Sequence, residues 1–221
     1  ISDNIRKDAV EGIMGTLLMN GITTINAMEG GFMYSDKDAD FLYEHGKEFP
    51  IDIELFYQTM DIEKIKAMGL KRLGGCLYVD GTFGARTAAL SFQYADCPGT
   101  MGSLLLTQQE INDFVLNCYK NNLQLALYTI GDRAIEMAIN AHENAFYQTG
   151  IIGLRHRLEH AELINEKQIQ RAKELGILLS MQPSYETYWG GPGKMYEQRL
   201  GDKYILTNPF KEIIEKGVIV C

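Results

Sequence analysis

The sequence predicts an α/β domain of repeated strand–helix units around a parallel sheet, and three observations predict it. Short apolar, β-branched runs alternate with segments of helical period. Polar residues gather just after these runs, at Asp80, Asp132, His160 and Gln182. The composition, 46% hydrophobic and 23% charged over 221 residues, is that of a globular chain long enough to bury a sizeable core. Alternation of this kind gives right-handed βαβ crossovers. An open doubly wound sheet and a closed barrel both satisfy it. No G-x-G-x-x-G follows the first strand, so a dinucleotide-binding sheet loses weight.

Residues 3–20 carry Ile5, Ala9, Ile13, Leu17 and Leu18 at helical spacing, and Asn20-Gly21 ends that helix. ITTINAM (22–28) is continuous and β-branched, which marks a buried strand. A polar helix follows over 36–47. PIDIELFYQ (50–58) is a strand, DIEKIKAMG (61–69) a short helix with Asp61 as its N-cap, and CLYVDG (76–81) a strand running into a glycine turn. Residues 82–107 are irregular, and their aromatics Phe83, Phe92 and Tyr94 mark an ordered lid. Thr107 and Glu110 form a capping box ahead of the helix INDFVLNCYK (111–120). LQLALYTI (123–130) is a strand, and Gly131-Asp132 opens the helix that runs to 147. LRHRLEHAEL (154–163) mixes strand and turn, and NEKQIQRAKELG (165–176) is an amphipathic helix. ILLSMQ (177–182) is a strand ended by Pro183, and a Gly/aromatic loop follows. NPFKEIIEKG (208–217) is the last helix and VIVC (218–221) the last of seven expected strands.

With 21 basic and 29 acidic residues the net charge is −8, which repels nucleic acid and anionic lipid. Lys71-Arg72 is only a pair, so neither is an expected partner. Cys76, Cys97, Cys118 and Cys221 form no C-x-x-C motif, which points to a reduced, cytoplasmic setting. No apolar run approaches the ~20 residues of a membrane span. The N-terminal ISDNIRKDAVEG is polar and helical rather than a signal peptide. The chain stops inside the apolar run GVIVC, as a piece of a longer protein would.

Four stretches carry the chemistry: CLYVDGTFGARTAAL (76–90), YTIGDRAIEMAINAHE (128–143), RHRLEHAELI (155–164) and SMQPSYE (180–186). In this order and spacing they resemble the amidohydrolase superfamily. Within it the similarity is to the YtcJ-like group, often called amidohydrolase family 3, which includes proteins labelled exoenzyme regulatory protein AepA. It extends to GITTINAM near the start and RLGDKYILTNPFKEIIEKGV near the end. The resemblance implies a parallel (β/α)8 TIM-type barrel, incomplete here, forming one domain over 1–221. The first strand, with the family's His-x-His metal pair, and the C-terminal part, with its general-base Asp beyond residue 221, are implied to be missing. It implies hydrolysis of carbon–nitrogen bonds other than peptide bonds in a small-molecule amide, by water activated on a divalent metal, zinc, with one ion or none. Such an ion lowers the pKa of bound water to roughly 7 and polarises the scissile carbonyl. This piece alone is expected to be inactive.

Carried over by position, His160 in R-L-E-H matches the family's metal-binding histidine. Asp132 matches the G-D-R-A turn, and Asp80 and Arg86 the D-G-x-x-G-x-R-T turn, where Arg86 suits a substrate carboxylate. Gln182 matches the Q-P turn and suits a substrate amide. Tyr128, Tyr185 and Trp189 supply an aromatic wall. Two positions depart from the pattern. Tyr128 stands where H-A-x-G-D has its histidine, and a phenol with a pKa near 10 is a poor zinc ligand. Cys76 stands where the family carries a metal-bridging lysine; a thiolate can bind zinc at about 2.3 Å, or the residue is a small buried one. These departures motivate a second expectation, a catalytically impaired barrel with a binding or regulatory role. A lyase of aldolase type would need a lysine or carboxylate at a strand end, and no lysine stands there. His45 and His142 lie on predicted helices and read as surface residues, and His156 as structural. A barrel missing a strand leaves unpaired edges, so a homo-oligomer is expected.

Overall fold

The computed structural model describes residues 1–31 and 35–221, and of Cys76 the backbone only. The chain divides into two compact units, Ile1–Leu77 and Tyr78–Cys221.

The first unit holds α1 (Asp3–Met19), β1 (Thr24–Glu29), α2 (Lys37–His45), β2 (Asp52–Tyr57), α3 (Ile62–Ala67) and most of β3 (Arg72–Tyr78). Its strands follow in sequential order and run parallel, with Thr24 to Glu29 in register with Asp52 to Tyr57, and Tyr57 opposite Leu73. Met14, Phe41, Phe49 and Ile51 form its core, with Val10, Leu17 and Ile25 packed against them. Asp61 caps α3 as its position suggests, its carboxylate accepting from the Lys64 amide at 2.9 Å.

The second unit holds α4 (Gln108–Lys120), β4 (Gln124–Thr129), α5 (Asp132–Thr149), β5 (Arg157–His160), α6 (Glu166–Glu174), β6 (Leu178–Ser180), α7 (Pro183–Trp189), α8 (Met195–Leu200) and α9 (Phe210–Glu215). β4, β5 and β6 are again parallel and sequential. Thr107 and Glu110 build the expected capping box on α4, and Asn165 and Gln168 build another on α6.

Three expectations change. The run over 22–28 does form β1, but none of its residues is buried, β2 being its one partner among the described strands. The final strand over 218–221 is reduced to a bridge, Leu179 opposite Val220, where the Leu179 amide donates to the Ile219 carbonyl and the Cys221 amide to the Leu179 carbonyl, each at 3.0 Å. The Gly/aromatic loop after Pro183 is in fact helical, as α7 and α8. No described helix is long and apolar enough to cross a membrane.

Parallel register fixes what each strand of the second unit presents. Tyr128 pairs with Glu159, and Ala126 with Arg157, so these four share one face. His156, Leu158 and Leu127 share the other, where His156 stacks on Tyr119 of α4 with ring centroids 4.4 Å apart. The helices therefore cover the His156 face, and the Tyr128 face is the interior one.

Candidate active site

His160 ends β5, and strict alternation would turn it toward the helices with His156 and Leu158. Its backbone prevents this. His160 has φ +70°, and the Ala161 amide donates back to the Glu159 carbonyl at 3.0 Å. An i to i+2 bond across a positive-φ residue is the rarer, strained form of γ-turn, costing of order 1–3 kcal/mol in a residue other than glycine. The turn swings the imidazole to the interior face. There it meets the edge of Tyr128 at 4.7 Å and lies parallel to Tyr185 of α7 at 6.0 Å. Its Nδ1 lies 2.6 Å from Oε1 of Gln182, just beyond β6. Burial holds the His160 pKa below its ordinary value, against the opposing pulls of Gln182 and the nearby Glu159. The ring is thus neutral at neutral pH, the form that binds a metal or accepts a proton.

The other expected site residues divide sharply. Tyr128 and Tyr185 do flank His160. The ring of Tyr128 also meets Tyr78 edge-on at 4.6 Å, and its hydroxyl donates to the Gly81 carbonyl at 3.3 Å. Trp189 continues the aromatic wall, 4.4 Å from Tyr185.

Asp80, expected to line a substrate pocket, is fully buried instead. Its oxygens accept from the amides of Ala89, Ile130 and Gly131 at 2.8, 3.0 and 2.8 Å. Arg86, expected to hold a substrate carboxylate, holds this chain's own Asp96, with Nε and Nη2 at 3.0 and 2.8 Å from its two oxygens. Arg199 of α8 reaches the same carboxylate. Asp132 opens α5 and accepts from the Ser91 amide at 2.9 Å. Asp80, Arg86 and Asp132 therefore fasten the 82–107 segment. The segment is ordered, as its aromatics suggest. Gln182 contacts His160. The side chain of Cys76 lies outside the described residues.

Sequence reading passed over several groups beside this site. Arg157 and Glu159 form a buried two-pronged ion pair at 2.7 and 3.1 Å, and Arg157 also donates to Ser180 of β6 at 2.8 Å. Glu162 is buried, receives the Tyr196 hydroxyl, and is pushed up to about 7 mainly by burial. The signal was available for the first pair: Arg157 and Glu159 are two apart within the R-L-E-H motif and must share a face. For Glu162, nothing local foretells Tyr196.

His160, with its imidazole aimed and neutral, suits one position of a metal centre. One imidazole is not a centre, however. Among the described residues no three His, Cys, Asp or Glu side chains converge to hold an ion, so these residues alone do not fit a complete site.

Comparison with known proteins gives this geometry its context. The family model described as the amidohydrolase family matches residues 6–221. A putative amidohydrolase, YtcJ, from Bacillus subtilis is 30% identical over 145 residues, 65% of this chain and 26% of its own length. The protein LONG AFTER FAR-RED 3 from Arabidopsis thaliana is 27% identical over 158 residues, 70% of this chain and 27% of its own. Among solved structures, an uncharacterized metal-dependent hydrolase from Pyrococcus furiosus superposes over 100% of this chain and 46% of its own, with a TM-score of 0.81 and 27% identity. The chain thus spans about a quarter of these curated relatives and just under half of the solved hydrolase. The parallel strands with their helices are those of an incomplete amidohydrolase-type (β/α) barrel.

Proposed function

The chain belongs to the amidohydrolase family, and from that premise we propose that the full protein is a metal-dependent hydrolase of carbon–nitrogen bonds other than peptide bonds, acting on small-molecule amides. The observation that carries this is His160, held at a strand end in a strained turn that aims its imidazole into the barrel interior. In this reading His160 is one ligand of a divalent ion, zinc, and the remaining ligands and the general base come from elsewhere in the full protein. When bound, the ion supplies an activated water and polarises the scissile carbonyl. Tyr128, Tyr185 and Trp189 exclude water and present ring faces to the substrate. The setting is cytoplasmic, in keeping with the free thiols of Cys97, Cys118 and Cys221.

Tyr128 supports a second reading, a barrel that binds but does not hydrolyse. Its ring fills the space between Tyr78 and His160, and its hydroxyl is spent on a backbone carbonyl. Elemental analysis of the full-length protein separates the two. About one ion per chain, lost in His160→Ala, supports the hydrolase. No ion in the unaltered protein, with binding gained only in Tyr128→His, would hand the case to the binding protein.

Association with a second copy belongs to the same proposal. β1 pairs only with β2 among the described strands, and α1 exposes Ile5, Ile13, Leu18 and Met19. A monomer mass by light scattering, unchanged with concentration, would remove this part.

A further inference from the structure

We infer that Gln182 is a positioning residue that decides which nitrogen of His160 carries the proton, leaving Nε2 as the lone pair of the site. The purpose of that lone pair rests on the hydrolase reading; the assignment of the proton does not.

An amide oxygen only accepts hydrogen bonds, so an imidazole nitrogen 2.6 Å from Oε1 of Gln182 must be protonated. In a neutral ring the other nitrogen, Nε2, is then bare. Free histidine prefers the opposite form, with the proton on Nε2, so the protein has to impose this one. Gln182 is placed to do so. Pro183 opens α7 directly after it, and its backbone carbonyl takes the Tyr185 amide at 3.0 Å. Its side chain makes no capping bond to α7 and is turned to His160 instead. Tyr128 and Tyr185 fix the plane of the ring, and the γ-turn fixes its direction. A histidine packed only for its bulk would need none of this. The same unit holds a contrasting case. The Leu125 amide donates to Nδ1 of His156 at 3.0 Å, so that buried ring carries its proton on Nε2.

Long-range ¹H–¹⁵N correlation of the ring nitrogens tests the assignment, on the labelled chain near about pH 7.5. The sequence has only four histidines, and a His160→Ala spectrum identifies the signal. His160 is expected in the Nδ1–H form and His156 in the Nε2–H form within one spectrum. In Gln182→Leu, His160 should shift toward the Nε2–H form, with the His156 signals unmoved as proof of folding. Gln182→Glu, which keeps an acceptor oxygen, should restore the Nδ1–H form. An Nε2–H form of His160 in the unaltered chain, or no change in the leucine variant, overturns the inference.

Discussion

At Asp80 two forces oppose each other. Three backbone N–H donors favour the carboxylate, while complete burial penalises its charge and prevails, pushing the pKa up to about 7. Either form leaves the oxygens indispensable as acceptors. Asp80→Ala orphans three buried donors and should lower stability by roughly 3 kcal/mol or more. Asp80→Asn keeps Oδ1 for Ile130 but turns an NH₂ toward Ala89 and Gly131, and should cost roughly 2 kcal/mol. Urea unfolding midpoints measure both. If the alanine variant unfolded at the wild-type midpoint, the three amides would have other partners and the fastening role would fall. From the sequence, Asp80 and His160 look alike, each a polar residue at a strand end. What separates them is the partner, and the partners of Asp80 lie 9, 50 and 51 residues away.

Elements with strong local chemistry were legible, and those made by distant contacts were not. Asp61 and the Thr107–Glu110 box carry their own instructions, and α3 and α4 follow them; β1 forms from a β-branched run, though unburied, and β4 from an apolar one. α7 and α8 have seven and six residues amid Gly190, Gly191 and Gly193, too few for a period to show. His142 is the opposite case. Expected at the surface, it is completely buried, yet Ile135, Ala138, His142 and Ala145 form a visible stripe along α5. The course of the 82–107 segment also follows from a close backbone approach. A Cβ on Gly131 would stand 2.1 Å from the Ala89 carbonyl oxygen, and the Arg133 amide donates to that same oxygen at 3.1 Å. Gly131→Ala should therefore displace this segment, costing about 2 kcal/mol or more and exposing 82–107 to protease. Limited proteolysis that left the segment as resistant as wild type would show that it is anchored elsewhere.

At the scale of the molecule, four buried groups pull on the pH dependence of stability in two opposed pairs. Burial pushes His142 down to about 3 and His156 well below its ordinary value, with His142 adding to the effect on His156. Tyr119 of α4 packs on both rings, and each histidine leaves Nε2 without a partner among the described residues. Between about pH 4.5 and 6.5 the unfolded chain takes up both histidine protons and the folded chain refuses them. Asp80 and Glu162, each pushed up to about 7, do the reverse: the folded chain keeps two protons that the unfolded chain releases. Stability changes with pH in proportion to the protons bound unfolded minus those bound folded, so these four contributions cancel across the window. Removing one member should tilt the balance in a known direction. In His142→Phe the unfolded chain loses a proton site, and stability should fall as pH rises, by up to about 1.4 kcal/mol per pH unit. In Glu162→Gln the folded chain loses one, and stability should rise with pH at a similar slope. Chemical denaturation at half-unit steps across the window reads both slopes. Slopes of the same sign in the two variants would mean that the histidine pair and the carboxyl pair do not oppose each other, and that the acid response is set at the surface instead.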